Sequence, residues 1–595
     1  MKRAIYLLGV LIIFGAIYSC NKEDDAPAVK EEKVINSMSD LKVSETFNYK
    51  MQKKIHVNVQ LPKALNYQKK YAVTLYDKKN KQEIIKGASD ANGIFKMDFV
   101  APSLLDTIIL KTAAGNYMCK VENSFVNFDF NDLYSNDSNV TSQTKNPALV
   151  YSFKKEKYRD INLLSNGDFS TNDFSSGNET DAKNNLGKWY VGNINDFSHY
   201  NGNSVRYYHN GYTVSAELYQ AFSVTAGQDL SLSIDIKAVG FNTSSYLRVA
   251  FYDNSGNSVG YQQVMIYPTV SWASYSMAVT VPNNAVTAVF YPIIGRTFPG
   301  AEVYIDNAWV SVLNQVDSDN DGVPDVDDAF PNDDTRCFIT MNPGVGEGTY
   351  VFEDLWPYTG DYDFNDLVIN YRYDYVMNCC GELVEMDCHF KIKAVGGSFK
   401  NGFGISLNRY ANTVSSVSGT INTESYISYN ADGTEANQSK TVIIVFDNVF
   451  DVITHPGGMG INTTKGNTYV DPVEIDVEIE MNSPMDITGF EINPFLIVNK
   501  DRGKEIHLVG MLPTDLVNTN LFGTGQDDSN SGIYYKSKDN LPWALDIPFD
   551  FDYDIEKADI TQTYLKFSEW VESNGTQYQD WYLDKPGYRN TSNIY

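Results

Sequence analysis

Between Asp317 and Asp328 the chain reads DSDNDGVPDVDD, an acidic run without an aromatic or basic residue. Its carboxylates are spaced for coordination. Asp317, Asp319 and Asp321 fall at positions 1, 3 and 5 of a loop, and Gly322 permits a sharp bend at 6. The Val323 carbonyl stands at 7, Asp325 at 9 and Asp328 at 12. This is how a short loop surrounds a hard cation with oxygen, and Ca²⁺ is the expected ion. The alternative is a solvated acidic linker held apart by its own repulsion. A second oxygen-rich cluster follows in FEDLWPYTGDYDFNDLVINY, where Asp361, Asp363 and Asn365 alternate, Asp366 adjoins, and Glu353 and Asp354 precede. Ca²⁺ suits such a set better than Zn²⁺ or Mg²⁺. Its alternative is an Asx-turn and strand cap that needs no metal.

Other chemistry is sparse. The six histidines stand at 56, 199, 209, 389, 455 and 507, with no HExxH and no close pair, and neither a GxSxG elbow nor a phosphate-cradling glycine loop occurs. Arg502, Lys504 and Glu505 of DRGKEIHL read as exposed strand residues or local salt bridges. A non-catalytic protein is expected, although a glycosidase carboxylate pair is one option the many acids leave open. The formal charge of −28 repels nucleic acid and anionic bilayers as partners.

These sites need elements to position them, and the leader sets the compartment. MKRA followed by IYLLGVLIIFGAI is a positive and then apolar segment too short to span a bilayer comfortably, and it ends at YSC. Once Cys20 is set aside, Cys119, Cys337, Cys379, Cys380 and Cys388 remain. An exported chain with this cluster is expected to form a disulfide from Cys337 to one of Cys379, Cys380 and Cys388. After a polar tether over 20–46, KIHVNVQLP places Ile55, Val57, Val59 and Leu61 on one strand face. Further alternating runs predict a small β-sandwich over 47–130, a linker over 131–160 and a second β-sandwich over 161–313. The acidic linker occupies 314–336, and a β-rich unit occupies 337–595. In that last unit Ile560, Tyr564, Phe567 and Val571 form one helical stripe, with Asp559 as N-cap and Gly575 past the end. The fold class is mainly β, multidomain, with one amphipathic helix.

Several of these stretches resemble known families. The leader ending at Cys20 resembles a bacterial lipoprotein signal over 1–19, with Cys20 lipidated, and NKEDD resembles an outward-display tag of outer-membrane lipoproteins. The small sandwich resembles immunoglobulin-like repeats. NLLSNGDFS at one end and YIDN on the last strand resemble the galactose-binding-like jelly roll of carbohydrate-binding modules, in which an Asp at the place of Asp306 often helps hold calcium. The acidic loop with DAFPND behind it is similar to a thrombospondin type 3 repeat, because Pro324 and Pro331 disfavour the helices of an EF-hand. GDYDFND, AVGGSFKNGFGISL, NPFLIVNKDRGKEIHLVGMLPTD and YLKFSEWVES resemble the LruC domain of bacterial surface lipoproteins. These resemblances imply a calcium-binding outer-membrane lipoprotein, facing outward, that holds glycan or another extracellular ligand. Trp189, Tyr207, Tyr208 and Trp272 are the candidate stacking residues, and Trp189 and Trp272 also suit a core. A structural coat protein is the alternative function, and a glycan-active enzyme is a third.

Overall fold

The computed structural model describes residues 35–134 and 162–595, apart from 68, 80–81, 171–172, 193, 201–203, 209–215, 240–244, 295–299, 314–315 and 530–532. Cys20, the leader and nearly all of the expected 131–160 linker lie outside the described residues. Among the described residues no helix is long and apolar enough to cross a membrane. The protein is mainly β, with several sheets and a few short helices.

In the first sandwich, strand Gln52–Gln60 lies between Ile94–Pro102 and Phe125–Asp129 and pairs in parallel with the latter. A four-stranded sheet faces it, with Ala72–Asp77 and Thr107–Thr112 at its centre. The alternation of Ile55, Val57, Val59 and Leu61 turns all four side chains into the core.

The second sandwich packs a five-stranded sheet against a six-stranded one. Strand Glu302–Val312 runs through the five-stranded sheet between Ser204–Tyr208 and Asp229–Val239. The two ends of this unit are tied to one another. Asn162 Nδ2 donates to the Ala308 carbonyl at 3.0 Å, and Asn162 Oδ1 accepts from Val310 N at 2.9 Å. Gly167 lies so close to this strand that a Cβ there would stand 2.1 Å from the Ala308 oxygen. Only glycine permits that approach.

The third unit has a seven-stranded sheet in which Leu367–Met377 and Leu383–Ala394 are central, and a four-stranded sheet built on Gly402–Tyr410. Strand Val473–Met485 buries Ile475, Val477 and Ile479 and exposes Glu474, Asp476, Glu478 and Glu480. Cys337 and Cys379 form a disulfide, and Cys119, Cys380 and Cys388 are free. The Cys119 thiol is pushed up to about 12 by burial and is inert.

Two expectations require correction. The single C-terminal helix is two short ones, Ile560–Thr563 and Phe567–Glu572. The break arises because Leu565 N donates to the Tyr588 carbonyl and Tyr564 bridges Arg589, so the returning chain takes bonds a continuous helix would make. The apolar stripe survives, since Ile560, Tyr564, Phe567 and Val571 are all buried. Asp559 does cap, accepting from Thr561 N at 2.9 Å.

The second correction concerns the tether. From Ile35 onward it is a strap packed on the third unit. Met38, Leu41, Phe47, Tyr49 and Met51 are buried in one cluster with Trp570 and Trp581. Met38 N donates to Asp559 Oδ2 at 2.8 Å, and the Phe47 ring meets Trp570 edge-on at 5.0 Å. Among the described residues of the expected tether only Met38 and Leu41 are fully buried, too few to show a period, while Phe47, Tyr49 and Met51 just beyond it alternate with exposed neighbours as an extended segment. Phe47→Ala should therefore destabilise the third unit by about 3 kcal/mol, whereas Glu45→Ala at an exposed neighbour should have little effect. Denaturant melts followed by tryptophan fluorescence check this, and equal tolerance of both changes would restore the tether.

Candidate cation sites and an open sheet face

The 317–328 loop is bent around its own carboxylates. Asp317 accepts from Asn320 N at 2.8 Å and Gly322 N at 3.0 Å, and Asp321 Oδ1 accepts from Val323 N at 2.7 Å. Asn320 and Gly322 take the left-handed φ values of +65° and +96° that the reversal requires. One oxygen each of Asp317, Asp319 and Asp321 gathers within 4.8 Å. Asp319 Oδ2 and Asp328 Oδ2 are buried and lack a donor. Burial, then the nearby charges of Asp321 and Asp319, push the Asp328 carboxyl up to about 6. Val323 is buried in the main core, which fixes its peptide beside these acids.

Asp325 departs from the expected set. Its two oxygens accept from Ser318 N and Ser318 Oγ, both at 2.8 Å, so it closes the loop. Asp328, likewise outside the three gathered carboxylates, instead lies within the field of Asp321 and Asp319 with one oxygen unmet. The loop is seated on the first sandwich, with Lys70 Nζ donating to the Asp321 carbonyl at 3.2 Å and Lys86 pairing with Asp327 at 3.5 Å. The Cys337–Cys379 disulfide lies against the Asp321 carboxylate, and its sulfurs, already bonded together, are not thiolate ligands.

The second cluster is more deeply enclosed. Glu353, Asp354, Asp363 and Asn365 are all buried, whereas Asp361 is exposed and Asp366 half-buried. Glu353 Oε1 accepts from Phe364 N at 2.8 Å, Asp363 Oδ2 from Lys557 N at 2.7 Å and Asp366 Oδ2 from Asp354 N at 2.8 Å. Asn401 Nδ2 donates to Asp354 at 2.9 Å. Glu353 Oε2 and Asn365 Oδ1 remain buried without a partner. A Cβ on Gly360 would stand 1.7 Å from Glu353 Oε2, so this position also excludes a side chain.

Oxygens of Glu353, Asp361 and Asp363 lie within 4.8 Å of one another. Burial, followed by like charge from Asp361, pushes Asp363 up to about 8. Glu353 and Asp366 are also driven well upward, by burial first and then by neighbouring aspartates. An all-oxygen cluster with unmet acceptors fits a hard cation such as Ca²⁺. Asp554 adds a buried carboxylate whose oxygens have no donor, and its carbonyl accepts from Asn365 Nδ2 at 3.0 Å. No local pattern points to it, because it lies far downstream of the GDYDFND motif.

The charged DRGKEIHL segment is internal rather than exposed at two of its three positions. Arg502 pairs with Glu435 and Glu505, and His507 Nε2 contacts Glu505 Oε2 at 2.9 Å. Burial opposes ionisation of Glu505, but His507 and Arg502 outweigh it and hold this carboxyl near 2. The group is closed from solvent, as befits an internal ion network.

In the second sandwich the four aromatic candidates separate. Trp189 is a core side chain whose Nε1 donates to the Ser165 carbonyl at 2.8 Å, and Tyr207 is buried against Phe197. Neither is available for stacking. Tyr208 and Trp272 are 37% and 41% exposed. Tyr207 and Tyr208 differ because successive strand residues face opposite sides. Sequence reading missed Tyr200, exposed beside Tyr304 at 4.8 Å, and Lys237, whose ammonium lies 4.6 Å from the Tyr304 ring centre and 5.9 Å from that of Trp272. Arg206 stacks on Tyr208 at 5.1 Å and pairs with Glu302. Together these residues make a polar–aromatic surface on the outer face of the five-stranded sheet.

The other half of this face is covered by the first sandwich. Ser276 Oγ donates to the Ala114 carbonyl at 3.1 Å, Thr280 N to the Ala64 carbonyl at 3.0 Å, and Lys69 pairs with Asp229 at 2.8 Å. Asp306 also lies on this sheet, directly opposite Asp235. Burial, then Asp235 and Asp168, push its carboxyl up to about 6.

Comparison with known proteins finds a domain match and several likenesses. Residues 381–582, inside the third unit, match the model of DUF4842, a domain of unknown function. No curated protein matches the chain. A structure described as a lipoprotein from Bacteroides ovatus aligns over 62% of this chain and 99% of its own, at 15% identity and a TM-score of 0.35. The module of a structure titled CBM4 covers 25% of this chain and 99% of its own, at 16% identity and a TM-score of 0.21. TmCBM61, solved with β-1,4-galactotriose, covers 26% and 99%, at 18% identity and a TM-score of 0.18.

Proposed function

We propose that this chain is a calcium-stabilised, non-catalytic lipoprotein of the outer membrane, displayed outward, that binds glycan through its second sandwich. The observation that carries this reading is the open half-sheet with Tyr200, Tyr208 and Trp272 exposed beside Arg206, Lys237 and Glu302. Sugar rings stack on aromatic faces, while flanking charged groups hydrogen-bond the hydroxyls. Cys20 supplies the lipid anchor, and the third unit is an LruC-like domain joined through a thrombospondin type 3-like calcium linker. Calcium would be held by Asp317, Asp319, Asp321, the Val323 carbonyl and Asp328 in the linker. In the third unit it would be held by Glu353, Asp361, Asp363, Asn365 and Asp366.

The glycan reading is tested on a glycan array with the mature protein. Trp272→Ala and Tyr200→Ala should each weaken binding about tenfold, or ~1.4 kcal/mol, without lowering the melting temperature. Trp189→Ala should instead lower stability by about 3–5 kcal/mol. No glycan bound, together with ordered arrays formed in calcium, would favour the coat-protein alternative.

The calcium reading has a signature in pH. Carboxyls raised in the folded state keep protons that the unfolded chain releases, so they stabilise at low pH and lose that contribution as pH rises. For Asp363 this window runs from the ordinary carboxylate range up to about 8. In chelator the melting temperature should fall across it, and saturating calcium should remove the fall by replacing protons with the cation. Asp363→Ala should diminish the calcium gain of the third unit, and Asp319→Ala that of the linker. Melting curves unchanged by calcium between pH 5 and 8 would sink this reading.

A further inference from the structure

A cavity of about 390 Å³ lies where the first sandwich meets the third unit, within the size range of small-molecule sites. One wall includes Met51 at the end of the strap and Gln52 of the first sandwich, and the other includes Tyr350, Tyr371, Tyr373 and Asp546 of the third unit. Tyr350 and Tyr371 stack at 3.9 Å, and the Tyr350 and Tyr373 hydroxyls are 3.2 Å apart. Gly348 lies beneath Tyr371, where a Cβ would come within 2.4 Å of the ring, so this tyrosine's position depends on the glycine.

Asp546 is the informative member. Gln52 Nε2 donates to both of its oxygens, at 2.9 and 3.0 Å, and the Tyr371 hydroxyl donates to Oδ1 at 2.6 Å. Every one of these contacts gives a neutral donor to the carboxylate, so the surroundings address its ionised form without supplying a countercharge. Burial pushes the group up to about 7, against the hydrogen bonds from Tyr371 and Gln52, and no basic side chain contributes. Lys50, Lys53 and Lys54 also line the wall; burial lowers the Lys53 pKa, with Asp106 opposing that shift, and none of the three is paired with Asp546. A half-buried carboxylate with neutral hydrogen-bond partners at the wall of a tyrosine-lined cavity calls for a cation with an apolar body.

We propose that this cavity binds a small organic cation, with an ammonium group against Asp546 and an aromatic or aliphatic body along the tyrosines. The site is separate from the sheet face and from both acidic clusters. Because Gln52 and Asp546 come from different units, the bound ligand also holds the first sandwich to the third.

The test uses the mature full-length protein and three probes of similar size at pH 8: phenethylamine, 3-phenylpropanol and 3-phenylpropanoate. Calorimetry should find the amine bound at least tenfold more tightly than the alcohol or the carboxylate, and the amine should raise the melting temperature. Asp546→Asn should abolish the amine's advantage and leave the alcohol's affinity unchanged. Equal affinities, a preference for the carboxylate through the wall lysines, or no binding of any probe at millimolar concentration would overturn the proposal. The comparison on the unmutated protein decides the matter if Asp546→Asn does not fold.

Discussion

Buried negative charge is the constraint on which this structure depends. A carboxylate taken out of water without a partner costs several kcal/mol, and neighbouring carboxylates raise that cost. The chain nevertheless encloses Glu353, Asp354, Asp363 and Asp554 near one another and folds the 317–328 loop around its own acids. Backbone amides satisfy part of each group, as in the bonds from Phe364 N to Glu353 and from Lys557 N to Asp363. They do not neutralise the charge. Either protons or a cation must do so, and the two compete. Where the chain has a built-in countercharge the outcome differs: Arg502 keeps Glu505 ionised, while His507, whose own pKa burial lowers, contacts it at 2.9 Å.

The first sandwich is the hub through which these charged regions are joined. Its hairpin at Ala113 and Ala114 covers half of the second sandwich's sheet face, its Lys70 and Lys86 hold the acidic loop, and its Gln52 reaches Asp546 in the third unit. The second and third units are thus not linked by the acidic loop alone. The loop is held on one side by the first sandwich's Lys70 and Lys86 and lies on the other against the Cys337–Cys379 disulfide of the third unit. The strap from Ile35 to Met51 adds a second tie, because it leads into the first sandwich after packing on Trp570.

Much of this was legible where burial follows a simple period. The run Val473–Met485 gives its inner and outer faces directly, as does Ile55 to Leu61. The acidic loop was legible because its spacing is local and glycine sits at the bend. Residues drawn together from distant parts of the chain were not. Asp554 beside Asn365, and Asp546 beside Gln52, carry no signal in their own neighbourhoods. Aromatic identity did not reveal exposure either: Trp189 and Trp272 are the same residue type, yet one fills the core and the other faces solvent. The C-terminal helix was misread for a related reason. Its apolar stripe is real, but a returning strand of chain competes for the backbone bonds at Leu565.

The partly covered sheet face follows from the same competition for surface. The outer face of the five-stranded sheet alternates with the core along each strand, so its polar and aromatic residues are fixed by register rather than by function alone. Toward Asp229 and Thr280 that face meets Lys69, Asn66 and Ala114 and becomes an internal interface. Toward Asp235 and Lys237 the same strands carry Tyr304 beneath Tyr200 and Trp272. A ligand on the open half would be bounded on one side by the first sandwich, which limits how far a polymer can run along the sheet. The hub that joins the charged regions therefore also sets how much of this sheet face stays open.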